Sequence, residues 1–111
     1  CTAGLLTQTG LIDGETRFVG EKLAPSAGLG DAQPTVASYS GTLTVRGPNG
    51  ALVLAEVGVL DFAYPGGLFV SRDLIISGTG AFSGAQGYLL FRGTGTTSFV
   101  SEVSGEVCLA P

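Results

Sequence analysis

The sequence predicts an all-β fold, and three observations carry that prediction. Residues 37–46 alternate cleanly, with Tyr39, Leu43 and Val45 on one face and mainly serine and threonine on the other. Glycine is abundant, at 19 of 111 residues, and only 13% of the residues are charged. No stretch keeps a helical period over more than about two turns. We therefore expect one domain, residues 1–111, folded as a single antiparallel eight-stranded, calycin-like β-barrel, since closure removes both sheet edges.

The first elements follow from turn residues. Residues 4–12 and 15–23 are strand-like and flank Asp13 and Gly14, a pair typical of β-hairpins. Residues 24–36 contain two prolines and two glycines without periodicity. That segment is typical of a surface loop, and it could also serve as a lid over a cavity mouth.

The later elements alternate strands with short turns. Residues 47–50, Gly-Pro-Asn-Gly, predict a tight turn after the strand at 37–46. Residues 51–63 are apolar on both faces, as in a strand covered on both sides, and residues 64–67 form the next turn. The remaining strands are expected at 68–77, 87–95 and 97–109.

The charge pattern excludes two classes of partner. The net charge is −4, and the five basic residues are scattered along the chain without forming a basic patch. Nucleic acids and anionic membrane surfaces are therefore poor partners. No segment approaches the ~20 apolar residues of a membrane-spanning helix, so we expect no membrane span.

The two cysteines, Cys1 and Cys108, lie at opposite ends of the chain. The alternation of the last strand directs Cys108 outward, where Cys1 could reach it and form a disulfide between the first and last strands. Alternatively, Cys1 is a lipidated N-terminus and Cys108 is free. Both hypotheses place the protein outside the cytosol, as a secreted or extracellular chain, and a Cys at the first position suggests processing. A third hypothesis is a cytosolic protein with two unpaired buried thiols.

The absence of histidine limits the chemistry. Without an imidazole the chain has no Ser-His-Asp triad and no His-ligated metal. The glycine-rich segment 78–84 has no Lys-Ser/Thr pair and joins two strands, so it is a turn rather than a phosphate-binding loop. We expect neither a metal nor an organic cofactor, and we assign no catalytic residue.

Two charged residues lie on apolar strand faces. Glu56 shares a face with leucines of its strand, and Arg72 shares one with Leu74 and Ile76. One hypothesis places both side chains in the barrel lumen, where a carboxylate or a guanidinium could polarise a ligand. The others are a structural Glu–Arg pair, or a subunit interface whose apolar side is outside. Asp61 and Asp73 are expected at strand ends, and the lumen candidates are Glu56, Arg72, Tyr39 and Tyr88.

Residues 72–93 read R-D-L-I-I-S-G-T-G-A-F-S-G-A-Q-G-Y-L-L-F-R-G. The G-T-G-x-F element between two strands, followed by G-Y, resembles the dirigent proteins and allene oxide cyclases over roughly residues 37–109. The resemblance implies an antiparallel barrel with an apolar lumen, often oligomeric. It also implies cofactor-free guidance or cyclisation of a reactive intermediate. Gln86 stands where dirigent proteins carry an arginine.

Two functions from different classes follow. The first is binding of a small apolar ligand in the lumen, extended by cofactor-free cyclisation or dirigent-like guidance. The second is a structural extracellular subunit that assembles with copies of itself. A second copy of the chain would cover Val53, Val57 and Val59 at such an interface. Residues 4–12 could also exchange between copies as a strand.

Overall fold

A computed structural model describes residues 1–5, 15–25, 36–95 and 99–111. This part of the chain forms seven strands and one 3₁₀ turn. The strands are β1 (Thr2–Leu5), β2 (Glu15–Pro25), β3 (Val36–Gly47), β4 (Gly50–Asp61), β5 (Leu68–Gly78), β6 (Gln86–Gly95) and β7 (Phe99–Cys108), and the 3₁₀ turn is Gly80–Phe82.

All seven strands form one antiparallel sheet in the order β1-β7-β6-β5-β4-β3-β2. The all-β prediction is confirmed, but the closed eight-stranded barrel is wrong. Among the described residues, β1 pairs only with β7 and β2 only with β3, so the sheet keeps two edges. Alternation defines which residues form strands, whereas closure depends on which edges meet, and that is not encoded in any one strand. The predicted hairpin around Asp13 and Gly14 and most of the predicted lid lie outside the described residues.

The short turns match the sequence predictions. Pro48 and Asn49 join β3 to β4, and the amide of Gly67 donates to the carbonyl of Tyr64 at 2.7 Å in the turn before β5. In the glycine-rich connection between β5 and β6, Gly80 has a φ of +60°, which a side chain would strain. The glycine-rich segment therefore forms a turn between the two strands, as expected.

The hydrophobic core lies on one face of the sheet, near one end of the strands. We call this face the inner face and the opposite one the outer face. The members of the core come from the β3–β4 hairpin, the β5–β6 connection and the ends of β6 and β7: Leu43, Val45, Leu52, Leu54, Phe82, Ala85, Leu89 and Val107. We call this region the packed end. Leu52, Leu54 and Leu89 are fully buried there.

The predicted disulfide is confirmed at the same end. Cys1 and Cys108 are bonded, with their Cα atoms 4.0 Å apart. Because the two sulfurs are joined, neither the lipidated Cys1 with a free Cys108 nor the pair of free thiols describes this structure. The bond fixes the edge strand β1 to β7.

Candidate functional site

The register of the sheet brings two acidic residues together in the middle of the inner face. Direct cross-strand partners run from one edge to the other as Gly20, Gly41, Glu56, Asp73, Leu89, Gly105 and Gly4. Glu56 and Asp73 are neighbours in this row and are 8% and 0% exposed. Their backbones are directly opposite, which places Cβ atoms about 5 Å apart. We call them the carboxyl pair.

Two hydroxyl groups donate to the carboxyl pair. The hydroxyl of Tyr39 donates to Oε2 of Glu56 at 2.8 Å, and the hydroxyl of Ser71 donates to Oδ1 of Asp73 at 2.9 Å. The second oxygen of Asp73, Oδ2, is buried and receives no hydrogen bond from the described residues. A proton on Oδ2 that is directed at Glu56 would satisfy this atom and remove the repulsion between the two carboxyls.

The electrostatics agree with a proton on Asp73. Burial raises the pKa of Asp73 to about 8, with further contributions from the hydrogen bond and the charge of Glu56, while Ser71 acts in the opposite direction. Asp73 therefore keeps its proton at pH 7. Burial and Glu56 also raise the pKa of Tyr39 above its ordinary value, so this phenol stays neutral.

A glycine makes room for the tyrosine of the site. Gly58 is the direct partner of Tyr39 on the neighbouring strand. A Cβ at Gly58 would lie 2.6 Å from the hydroxyl oxygen of Tyr39, far inside normal contact. The ring of Tyr39 therefore packs over Gly58, and this position lets its hydroxyl reach Glu56. Phe18 packs edge-on against Tyr39, with ring centroids 5.6 Å apart, and holds the other side of the ring.

An open cavity of about 860 Å³ lies over the inner face beside the carboxyl pair, and Leu43 of the packed end forms part of its lining. Its volume is in the range of small-molecule sites, roughly 300–1,000 Å³. The wall is mainly aromatic and includes Phe18, Phe62, Phe69, Phe91 and Phe99. Tyr39 and Glu56 also line the cavity and form its polar floor, and β2 contributes the exposed charges of Arg17, Glu21 and Lys22.

The structure separates the four lumen candidates. Tyr39 and Glu56 lie on the inner face and line the cavity. Arg72 and Tyr88 lie on the outer face and are exposed, so their expected inward placement is wrong. Arg72 pairs across strands with Val57, and Glu56 pairs with Asp73. The expected Glu56–Arg72 contact therefore does not form.

Sequence reasoning missed Asp73. It was expected near a strand end, yet it lies in the middle of β5 and is fully buried. The more apolar phase of β5, with Val70, Leu74 and Ile76, predicts the inner face, but these residues lie on the outer face. The inner phase is the less apolar one, with Phe69, Ser71 and Asp73. The usable signal was the Ser-x-Asp spacing, which puts a hydroxyl donor next to an acid on one strand face.

The outer face of β4, β5 and β6 carries a second notable surface. Six aliphatic side chains there are 41% to 62% exposed: Val57, Val59, Val70, Leu74, Ile76 and Leu90. We call them the outer apolar patch. The prediction that Val57 and Val59 face outward is confirmed. The expected pairing between copies of the chain through this surface stays a prediction.

No protein-family model, curated protein or solved structure matches this chain. The resemblance to dirigent proteins therefore stays a hypothesis based on residues 72–93. None of the helical residues that the structure describes forms a segment long and apolar enough to cross a membrane. Cys1, Glu106 and Cys108 lie close together, but the two sulfurs are bonded to each other and are not thiolate ligands.

Proposed function

We propose that the protein binds a small, largely apolar molecule in the cavity above the carboxyl pair. The observation that carries this proposal is a cavity of about 860 Å³ with an aromatic wall and a polar floor. An interior filled with side chains would instead favour a purely structural role. The aromatic wall removes apolar surface of the ligand from water, and the oxygens of Tyr39 and Glu56 fix its orientation.

The carboxyl pair would allow this site to do acid–base chemistry without a cofactor. Glu56 lines the cavity and lies directly opposite Asp73, whose raised pKa keeps a proton on the carboxyl pair. The pair could donate that proton to one atom of a ligand and take a proton back from another atom, which leaves the protein unchanged. Cyclisations and double-bond shifts have this balance. The resemblance of residues 72–93 to dirigent proteins and allene oxide cyclases supports the same class of reaction.

Binding is tested with a neutral, apolar fluorescent dye such as Nile red. Leu60→Trp would fill the cavity from β4, and Val59→Trp places the same side chain one residue away on the outer face. We expect the native protein and Val59→Trp to bind the dye and Leu60→Trp to lose most of the binding. No dye binding by the native protein, or a loss confined to Val59→Trp, would contradict a site in this cavity.

We also propose that the protein acts outside the cytosol. The Cys1–Cys108 disulfide persists in oxidising compartments and is rare in the cytosol. Alkylation of free thiols in freshly lysed source cells, followed by intact mass, would test this. Two alkylated cysteines in the native protein would contradict it.

The second candidate function is a structural subunit that assembles through the outer apolar patch. This surface spans three neighbouring strands and holds aliphatic residues that nothing in the described chain covers. A second copy packed face to face would bury it. The resulting homo-oligomer need not exclude ligand binding on the inner face.

Light scattering tests this assembly. We expect a mass of at least twice 11.1 kDa, and Val57→Lys should reduce it to that of one chain. Val19→Lys is the matched control, because Val19 is also exposed but lies on β2, which β3 separates from the patch. A monomer at high protein concentration, or equal dissociation by Val19→Lys, would contradict assembly through the patch.

A further inference from the structure

The floor of the cavity carries a negative charge that no basic side chain of the described residues neutralises. Glu56 and Asp73 are both buried, and their described hydrogen bonds come from hydroxyl groups. Arg72 lies on the opposite face of the sheet, and Arg46 and Arg92 are also exposed there. A buried charge is normally paired, since its transfer from water is unfavourable. The carboxyl pair can therefore attract a cation from a ligand, because no basic side chain of the described residues pairs with it.

The groups around the pair define what such a partner can be. The hydroxyl groups of Tyr39 on β3 and Ser71 on β5 already donate their hydrogen bonds to the two acids, so neither is available as a donor to a ligand. Leu89, the partner of Asp73 on β6, is apolar. The floor therefore offers a ligand oxygen acceptors and negative charge. On the β2 side of the cavity, the charges of Arg17, Glu21 and Lys22 are exposed to solvent, which screens them.

The wall of the cavity adds a second attraction for a cation. Five phenylalanine rings and Tyr39 surround the open space. The face of an aromatic ring attracts a positive charge, and the attraction grows when water is excluded. An apolar molecule with a positively charged end matches both the wall and the floor, whereas an acid would meet the charge of Glu56.

We propose that the cavity selects an apolar molecule that ends in a protonated amino group, with the ammonium at Glu56 and the apolar body against the aromatic wall. This inference rests on the proposed ligand-binding function. An alkylamine resembles the Lys side chain, whose pKa is about 10.4, so it is charged at pH 7. Its three N–H donors can reach the free oxygen positions of Glu56 and Tyr39.

Binding of an ammonium ion should release a proton from the site. A positive charge beside Glu56 stabilises the ionised form of Asp73, whose proton is then released to solvent. The site would exchange a proton for an ammonium ion, and its net charge would change little. A neutral ligand of the same size would leave the proton in place. The two kinds of ligand are therefore distinguishable by proton release as well as by affinity.

The test compares octylammonium with 1-octanol, which has the same apolar chain, by titration calorimetry at pH 7. We expect the amine to bind at least about ten-fold more tightly, which corresponds to about 1.4 kcal/mol. The heat of amine binding should differ between phosphate and Tris buffers because a released proton is taken up by the buffer. The heat of octanol binding should not differ.

Two variants locate the charge. Asp73→Asn keeps the negative charge of Glu56, so it should keep the preference for the amine but lose the proton release. The double variant Glu56→Gln/Asp73→Asn has no charge on the floor, so it should bind amine and alcohol equally. Circular dichroism confirms that each variant is folded, and the native protein alone already tests the preference.

The outcomes separate this inference from the proposed function. Equal affinity of the native protein for both compounds would overturn the amine proposal and leave the apolar site intact. Binding of neither compound would overturn both. An amine preference that survives in the double variant would show that the ammonium binds away from Glu56, which also overturns the proposal.

Discussion

The two ends of the inner face are built from the same strands and differ in what fills them. At the packed end, Leu52, Leu54 and Leu89 are fully buried. At the other end, Phe62 and Phe99 are 51% and 55% exposed beside an open cavity. The carboxyl pair lies between them. The comparison shows that one sheet can separate the residues that stabilise the fold from those that form a site.

The difference comes from what covers each end. The connection between β5 and β6 folds over the packed end and inserts Phe82, which is 6% exposed. Backbone hydrogen bonds from Thr79 to Ala51 and from Ala81 to Asn49 fix it to the β3–β4 hairpin. At the cavity end, the β4–β5 turn leaves Phe62 and Tyr64 exposed, so Phe62 lines the cavity without closing it.

The largest expected effect is loss of the disulfide at the packed end. The bond closes a loop with a sequence separation of 107 residues. For a loop of this length the chain-entropy model gives about 4.7 kcal/mol. Reduction, or Cys1→Ser/Cys108→Ser, should lower the unfolding free energy and the melting temperature, yet the packed end should keep the sheet folded. A melting curve unchanged by reductant would contradict this role.

The next test truncates the same residue type at both ends of β4. Leu54 is fully buried at the packed end, and Leu60 is half-buried beside the cavity on the same strand face. Leu54→Ala should lower the unfolding free energy by about 2–5 kcal/mol, because it leaves a cavity in a packed region. Leu60→Ala should have a much smaller effect. Equal losses in urea denaturation would break the distinction between the ends.

A third test removes one hydrogen bond of the carboxyl pair, which lies between the packed end and the cavity. Tyr39→Phe deletes the donor to Glu56 and should lower the unfolding free energy by about 1.5–3 kcal/mol, as for a hydrogen bond to a charged group. Tyr88→Phe is the control, because Tyr88 is exposed on the outer face and should be near neutral. Similar values for both variants in urea denaturation would show that the buried bond contributes little.

The last test concerns pH, and the change it predicts for one pH unit is the smallest of the four effects. The pKa of Asp73 is raised from 3.8 to about 8, so between these values the folded state holds a proton that the unfolded state has lost. Stability should therefore fall as pH rises through this window, by up to about 1.4 kcal/mol for each pH unit, and level off above pH 8. Asp73→Asn removes this contribution, so the difference between native and variant unfolding curves isolates it. A difference independent of pH would contradict a proton held by Asp73.

Local patterns were sufficient for most elements. Alternation located the strand containing Tyr39, and glycine and proline located the turns around Asn49 and Pro65. The outward phase of the last strand was sufficient to place Cys108 within reach of Cys1. Alternation, turn residues and the phase of a strand each depend on neighbours a few residues apart, so they can be predicted from the sequence directly.

The site required information that crosses strands. Whether Glu56 meets Arg72 or Asp73 depends on the β4–β5 register, and a shift of one residue exchanges the two partners. The apolar content of β5 favoured the wrong face, because its outer face, with Val70, Leu74 and Ile76, is more apolar than its inner face.

The sequence by itself predicted most of the described strands and turns and the outward phase of Cys108, since alternation and turn chemistry act within one segment. Only the tertiary structure decided that the sheet keeps two edges, that Asp73 is buried opposite Glu56 with a raised pKa, and that a cavity opens beside them. These features depend on registers and packing between strands that are far apart in the chain. Burial and proximity then set the charge of the site, and neither is a property of a residue alone.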